Sequence, residues 1–145
     1  MNPEAQISEV LGGDKVIGRN LKSRSDFDEV IRSGFPWKAV SHAKDSMSLT
    51  DRELSSLLDV SERTLARLKK SGKRLTMSAS DRLFRIANIF ASAKQVFESE
   101  EAALKWLHNP QIGLGGRVPL DMIMTEAGTH EVENLLGRIE YGVIA

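Results

Sequence analysis

The segment from Thr50 to Gly72 most narrowly limits what this chain can fold into. Its leucines recur at helical spacing in two short groups, at positions 54, 57 and 58 and then at positions 65 and 68. Thr50 and Glu53 have the spacing of a capping box, and Ser61 stands where it can cap a second helix. Many helix-turn-helix motifs have glycine at the turn, where this chain has Asp59, and aspartate tolerates turn conformations. The pattern therefore predicts two short helices that cross at a tight turn, as in a helix-turn-helix.

The rest of the sequence also has a helical pattern. No stretch sustains an alternation of β-branched and polar residues, and the chain has only four prolines. Apolar residues recur at helical spacing from Ala79 to Phe97, and further helices are predicted to begin at Ser25, after Ser99 and at Thr129. Residues 1–20 show little periodicity, which predicts a variable or mobile lead-in. The predicted fold class is all-α.

The formal net charge is zero, but the charges are unevenly distributed along the chain. Residues 1–97 carry 17 basic and 12 acidic side chains, whereas residues 98–145 carry 3 basic and 8 acidic ones. Residues 61–74 contain six lysines and arginines and a single acid, Glu62. A basic segment joined to an acidic one is typical of a chain that meets nucleic-acid phosphates at one end only.

The second helix of the predicted motif carries the residues that we expect to bind DNA. Its polar face is predicted to hold Glu62, Arg63, Ala66, Arg67 and Lys70, and its N-terminal end can enter the major groove. Arg63 and Arg67 are the candidates for base contacts, because a guanidinium pairs bidentately with guanine. Phosphate contacts are expected from Ser61, Thr64, Lys69, Lys70, Lys73 and Arg74. The alternative is a helical hairpin whose basic face is only solvated.

Several classes of function are disfavoured by what the sequence lacks. The absence of cysteine excludes a disulfide framework, a thiolate zinc site and a cysteine nucleophile. The glycines at 113, 115 and 116 lack the preceding strand of a dinucleotide-binding motif, so they predict a bend. No apolar run approaches the length of a membrane span. We therefore expect a cytoplasmic protein that is not an enzyme, with no catalytic residue, metal site, cofactor or membrane partner.

The C-terminal half contains four motifs in a recognisable order. They are Ala103-Leu-Lys-Trp-Leu-His-Asn-Pro110, Leu114-Gly-Gly-Arg-Val-Pro-Leu-Asp121, Thr125-Glu-Ala-Gly128 and Val132-Glu-Asn-Leu-Leu-Gly-Arg-Ile-Glu-Tyr-Gly-Val143. With the helix-turn-helix before them, these motifs resemble the Xre/MbcA/ParS family of antitoxins. The resemblance covers residues 22–145 and leaves residues 1–21 without a match.

This resemblance implies an Xre-like helix-turn-helix domain followed by a small helical toxin-binding domain. It divides the chain into a variable lead-in (residues 1–21), a DNA-binding and dimerisation domain (residues 22–90) and a toxin-binding domain (residues 91–145). The implied function is that of an antitoxin that neutralises a cognate RES-domain toxin and represses its own operon by binding operator DNA. Family members are typically homodimers that form a larger hetero-oligomer with the toxin. The NAD-consuming chemistry would belong to the toxin.

The implied toxin contacts lie at the end of the sequence. They are Arg138, Tyr141, Gly142, Val143, Ile144 and Ala145. A short apolar segment of this kind is a candidate interaction element, and in the resembled family this end lies near the entrance of the toxin's active site. Two alternatives stay open: a stand-alone transcriptional regulator whose C-terminal module dimerises or senses a ligand, and an adaptor that uses the hairpin for protein contacts.

Overall fold

The computed structural model describes residues 2–142, and within that range the chain folds into helices. The helices are α1 (Pro3–Val10), α2 (Asp14–Ile17), α3 (Arg24–Ser33), α4 (Trp37–Ser46), α5 (Asp51–Leu58), α6 (Glu62–Ser71), α7 (Met77–Phe97), α8 (Glu100–His108), the 3₁₀ helix η1 (Ile112–Leu114), α9 (Pro119–Met122) and α10 (Glu126–Glu140). No strand occurs in this described range, so the predicted all-α fold is confirmed. The chain divides into two compact units, Met1–Asn88 and Ile89–Ala145, and the boundary falls within α7.

The first unit is held together by large apolar side chains from successive helices. Its most deeply buried members include Phe27, Phe35, Leu54, Leu58 and Leu83. The rings of Phe27 and Phe84 pack in a tilted arrangement with their centroids 4.9 Å apart. Such a pair adds about 0.5–1.5 kcal/mol beyond the burial of its area. Helix α7 thereby fastens α3 within this unit.

Residues 3–17 form two helices, which the weak periodicity of this segment did not predict; a variable or mobile lead-in stays a prediction. Asn2 caps α1 by accepting a hydrogen bond at 2.7 Å from an amide of the first turn, and Pro3 opens the helix. Both α1 and α2 pack against α4. The apolar residues that this packing buries include Ile7, Val10, Leu11 and Ile17. Periodicity is hard to detect here because the pair Gly12-Gly13 confines α1 to eight residues.

Helices α3 and α10 begin earlier than predicted because a serine or threonine further upstream provides the cap. Helix α3 is capped by Ser23 and not by Ser25: the Ser23 hydroxyl accepts from the amide of Asp26 at 3.2 Å, and the Asp26 carboxylate accepts from the amide of Ser23 at 3.1 Å. Helix α10 is capped by Thr125. The predicted first residue, Thr129, lies one turn inside α10, where its buried hydroxyl donates to the Thr125 carbonyl at 2.7 Å.

The second unit consists of the end of α7 together with α8, η1, α9 and α10. Helix α9 packs against α8 and α10, and η1 packs against α10. The most deeply buried side chains of the second unit include Phe90, Leu107, Ile123 and Val132. Gly128 in α10 lies so close to the carbonyl of Met122 that a Cβ atom there would overlap the oxygen. The glycine therefore permits the close approach of α9 and α10.

Candidate DNA-binding and protein-binding surfaces

Helices α5 and α6 form the crossing that the sequence predicts. The hydroxyl of Thr50 accepts from the amide of Glu53 at 3.1 Å, and the Glu53 carboxylate accepts from the amide of Thr50 at 2.9 Å, which completes the capping box. Asp59 ends α5 in the left-handed conformation, with φ of 55°. Ser61 then caps α6 by accepting from the amide of Thr64 at 3.0 Å. The predicted helix boundaries and turn are confirmed.

The nine residues predicted to contact DNA are exposed. They are Ser61, Glu62, Arg63, Thr64, Arg67, Lys69, Lys70, Lys73 and Arg74. Arg63, Arg67 and Lys70 share one face of α6 because they are four and then three residues apart. Leu65 and Leu68 are buried on the other side of the helix.

Five exposed cations on α6 and just after it have no partner of opposite charge among the residues that the structure describes. Among residues 2–142, no carboxylate lies within 4.0 Å of the charged groups of Arg63, Arg67, Lys69, Lys70 or Lys73. We call this set of five cations the α6 basic face, although only Arg63, Arg67 and Lys70 share one side of the helix and Lys73 follows its end. It can therefore meet an external anion without first breaking an ion pair.

Arg74 differs from these five cations because its side chain also has a structural contact. One of its guanidinium nitrogens donates to the carbonyl of Gly34 at 2.9 Å. The amide of the next residue, Leu75, donates to the carbonyl of Phe35 at 2.9 Å. Arg74 thus helps to fix the segment that follows α6. The pattern of residues did not indicate this contact, because it joins positions 40 residues apart in sequence.

The candidate toxin contacts fall only partly within the described residues. Arg138 is exposed on α10, and Tyr141, which ends that helix, is 82% exposed. Gly142 follows with φ of 72°. Val143, Ile144 and Ala145 lie outside the described residues. Their predicted role therefore stays a prediction.

The surface of the second unit is acidic. Every acidic side chain of residues 98–145 is exposed, namely Glu98, Glu100, Glu101, Asp121, Glu126, Glu131, Glu133 and Glu140. A groove of about 590 Å³ on this unit is lined by residues that include Arg117, Asp121, Thr125, Gly128 and Glu131. The carboxylate of Glu131 pairs with the guanidinium of Arg117 at 3.2 Å.

One exposed apolar residue of the second unit was not singled out in the sequence. Ile112, in η1, is 95% exposed. Its neighbouring glycines indicated a bend, and the structure has one, since Gly115 and Gly116 both have positive φ. The direction in which the bend presents Ile112 depends on the three-dimensional course of the loop.

Two other kinds of feature are absent from the described part of the chain. No group of three or more histidine, aspartate or glutamate side chains in that part could hold a metal ion. No helix there is both long and apolar enough to cross a membrane.

Comparison with known families accounts for both units. Residues 26–88 match the family described as the antitoxin Xre-like helix-turn-helix domain, and residues 92–142 match the antitoxin Xre/MbcA/ParS C-terminal toxin-binding domain. The chain belongs to the Xre/MbcA/ParS antitoxin family. The family that the four C-terminal motifs predict is thereby confirmed.

Individual relatives agree with the family assignment. An antitoxin Xre of Yersinia enterocolitica is 29% identical over 116 residues, which cover 79% of this chain and 78% of that protein. An antitoxin Xre of Pseudomonas putida is 40% identical over 80 residues, which cover 55% of this chain and 50% of that protein. Among solved structures, a chain of the M. tuberculosis MbcT–MbcA toxin–antitoxin complex is similar, with a TM-score of 0.56 and 25% identity. The match covers 73% of this antitoxin-family chain and 94% of that one.

Proposed function

We propose that the chain binds and neutralises a cognate RES-domain toxin and represses its own operon. The observation that carries the proposal is the tandem order of the two antitoxin-family domains, one with the α6 basic face and one with an acidic surface. The likeness to a chain of a toxin–antitoxin complex supports a toxin as the partner. Two surfaces of opposite charge suit two different partners.

The DNA-binding part of the proposal rests on α6. An α-helix fits the major groove of B-DNA, which is about 12 Å wide, so the exposed N-terminal half of α6 can reach base edges. Arg63 and Arg67 would contact guanine, while the lysines and the capping hydroxyls would hold phosphates. One helix contacts few bases, so we propose that a homodimer binds two half-sites of a palindromic operator. We assign operator binding and dimerisation to residues 22–90. Residues 1–21 precede this domain.

The toxin-binding part of the proposal assigns residues 91–145 to a protein interface. The chain would supply no catalytic residue, and the NAD chemistry would take place in the toxin. We propose that residues 138–145 contribute to this interface and hinder access to the toxin's active site. Toxin and antitoxin would form a larger hetero-oligomer in the cytoplasm, where operator DNA also lies. Deletion of residues 142–145 should weaken toxin inhibition and leave operator binding unchanged.

Co-expression with the neighbouring gene, which the proposal predicts to encode a RES-domain toxin, tests the proposal. Expression of the toxin alone should arrest growth and deplete NAD, and co-expression of this chain should restore both and yield a complex that co-purifies. The purified chain should also bind its own upstream DNA, with an affinity that falls as salt concentration rises. Operator binding without any effect on the toxin would contradict the proposal and favour a stand-alone regulator.

A further inference from the structure

The loop between α8 and α9 holds Ile112 outward in a fixed conformation. The amide of Gln111 donates to the carbonyl of Arg117 at 3.1 Å, which closes the loop. The side-chain amide of Gln111 donates to the carbonyl of Trp106 at 2.9 Å, which fastens the loop to the end of α8. Leu114 is the inward anchor and is buried. The exposure of Ile112 therefore belongs to an ordered loop with its backbone hydrogen-bonded on both sides.

The same loop borders the groove of the second unit. Arg117 closes the loop through its backbone, and its side chain lines the groove and pairs with Glu131. Ile112 and Arg117 thus belong to one loop, of which Arg117 lines the groove. An exposed apolar side chain beside a groove is typical of the centre of a protein interface, where buried apolar anchors supply most of the affinity.

We propose that Ile112 and the adjoining groove form the central contact with a protein that has an apolar pocket and a basic rim. This inference rests on the proposed function, in which that protein is the toxin. The eight exposed acids among residues 98–145 favour a basic partner. A second copy of this unit would bring like charges together, and the same charges would repel DNA. The inference adds a second contact to the one proposed for residues 138–145.

The test is the affinity of Ile112 variants for the toxin that the proposed function predicts the neighbouring gene to encode, measured by calorimetry. Ile112→Ala should raise the dissociation constant about 10- to 50-fold, because three buried carbon atoms are lost from the contact. Ile112→Glu and Ile112→Lys both remove the apolar contact but differ in charge. Ile112→Lys should bind more weakly than Ile112→Glu if the rim of the pocket is basic.

Matched controls separate this inference from the proposed function. Met77 is an exposed apolar residue of the first unit, 54% accessible, so Met77→Ala should leave toxin affinity unchanged. The unfolding temperatures of the Ile112 variants should match that of the parent, because the side chain contributes little to the core. If the parent chain fails to bind the toxin, the proposed function is wrong. If the parent binds and Ile112→Ala binds within twofold of it, this inference alone is overturned. A change in self-association without a change in toxin affinity would likewise overturn it in favour of a homodimer contact.

Discussion

The amide of Phe35 donates a hydrogen bond to the hydroxyl of Ser80 at 3.0 Å, and both residues are fully buried. Phe35 lies just before α4, whereas Ser80 lies in the first turn of α7, 45 residues later. The carbonyl of Phe35 accepts in turn from the amide of Leu75, which follows α6. These two hydrogen bonds tie the segment that leaves the α6 basic face to the core of the first unit.

Removal of the Ser80 hydroxyl should therefore weaken the first unit. Ser80→Ala leaves the buried amide of Phe35 without its acceptor, which should cost about 1–3 kcal/mol of unfolding free energy. Ser78 is exposed in the same turn of α7, so Ser78→Ala is the matched control and should change stability by less than about 0.5 kcal/mol. Denaturant titration followed by circular dichroism measures both variants. Equal losses of unfolding free energy in the two variants would show that the hydrogen bond between Phe35 and Ser80 does not stabilise the first unit.

Two glycines of α10 should respond in opposite directions to alanine. Gly137 has open space where a Cβ would be placed, so Gly137→Ala should stabilise the protein by about 0.5–1 kcal/mol. Gly128 faces the carbonyl of Met122, so Gly128→Ala forces α9 and α10 apart and should destabilise by about 1–3 kcal/mol. Thermal unfolding of the two variants compares them directly. A Gly128→Ala protein as stable as the parent would contradict the packing described for the second unit.

The stability contributed by Asp26 should depend on pH. Hydrogen bonds from the amides of Lys22 and Ser23 lower the pKa of the Asp26 carboxyl below its ordinary value of 3.8. Because the folded pKa lies below the unfolded one, the carboxylate stabilises the fold above pH 3.8. This contribution is lost as the pH falls through the folded pKa. Asp26→Asn should therefore destabilise the protein at neutral pH, and the difference from the parent should shrink in acid. A difference that stays constant over that pH range would rule out this linkage.

Whether an interaction in this protein could be predicted from the sequence depends on how far apart its two residues lie along the chain. The capping box at Thr50 and the cap at Ser61 were predictable because donor and acceptor lie three residues apart. The contact of Arg74 with Gly34 and that of Phe35 with Ser80 join residues 40 and 45 positions apart, and no local pattern records them.

The surfaces were predictable to different degrees for a related reason. The shared side of Arg63, Arg67 and Lys70 in the α6 basic face follows from helical spacing alone. The exposure of Ile112 depends on a loop closed between Gln111 and Arg117, so the pattern of glycines indicates the bend but not its direction.

Base contacts and phosphate contacts on α6 should be separable by mutation. Arg63→Ala and Arg67→Ala should each weaken the free energy of operator binding by about 1–3 kcal/mol and relax the preference for particular bases. Lys70→Ala should weaken binding to all DNA more evenly and lower the slope of affinity against salt by about one. Arg138→Ala removes a cation from the second unit and is the matched control, with unchanged DNA binding. Fluorescence anisotropy with operator and scrambled duplexes distinguishes a loss of base preference, an even loss of DNA affinity and unchanged binding.

The most direct test of two separate surfaces on one chain uses the Arg63→Ala/Arg67→Ala double variant in two assays. Operator affinity is measured by anisotropy, and toxin neutralisation is measured by growth and NAD content during co-expression. We predict that the folded double variant loses specific operator binding and still restores growth as well as the parent does. Retention of specific operator binding, or loss of neutralisation in a variant with the parent's circular dichroism spectrum, would contradict it.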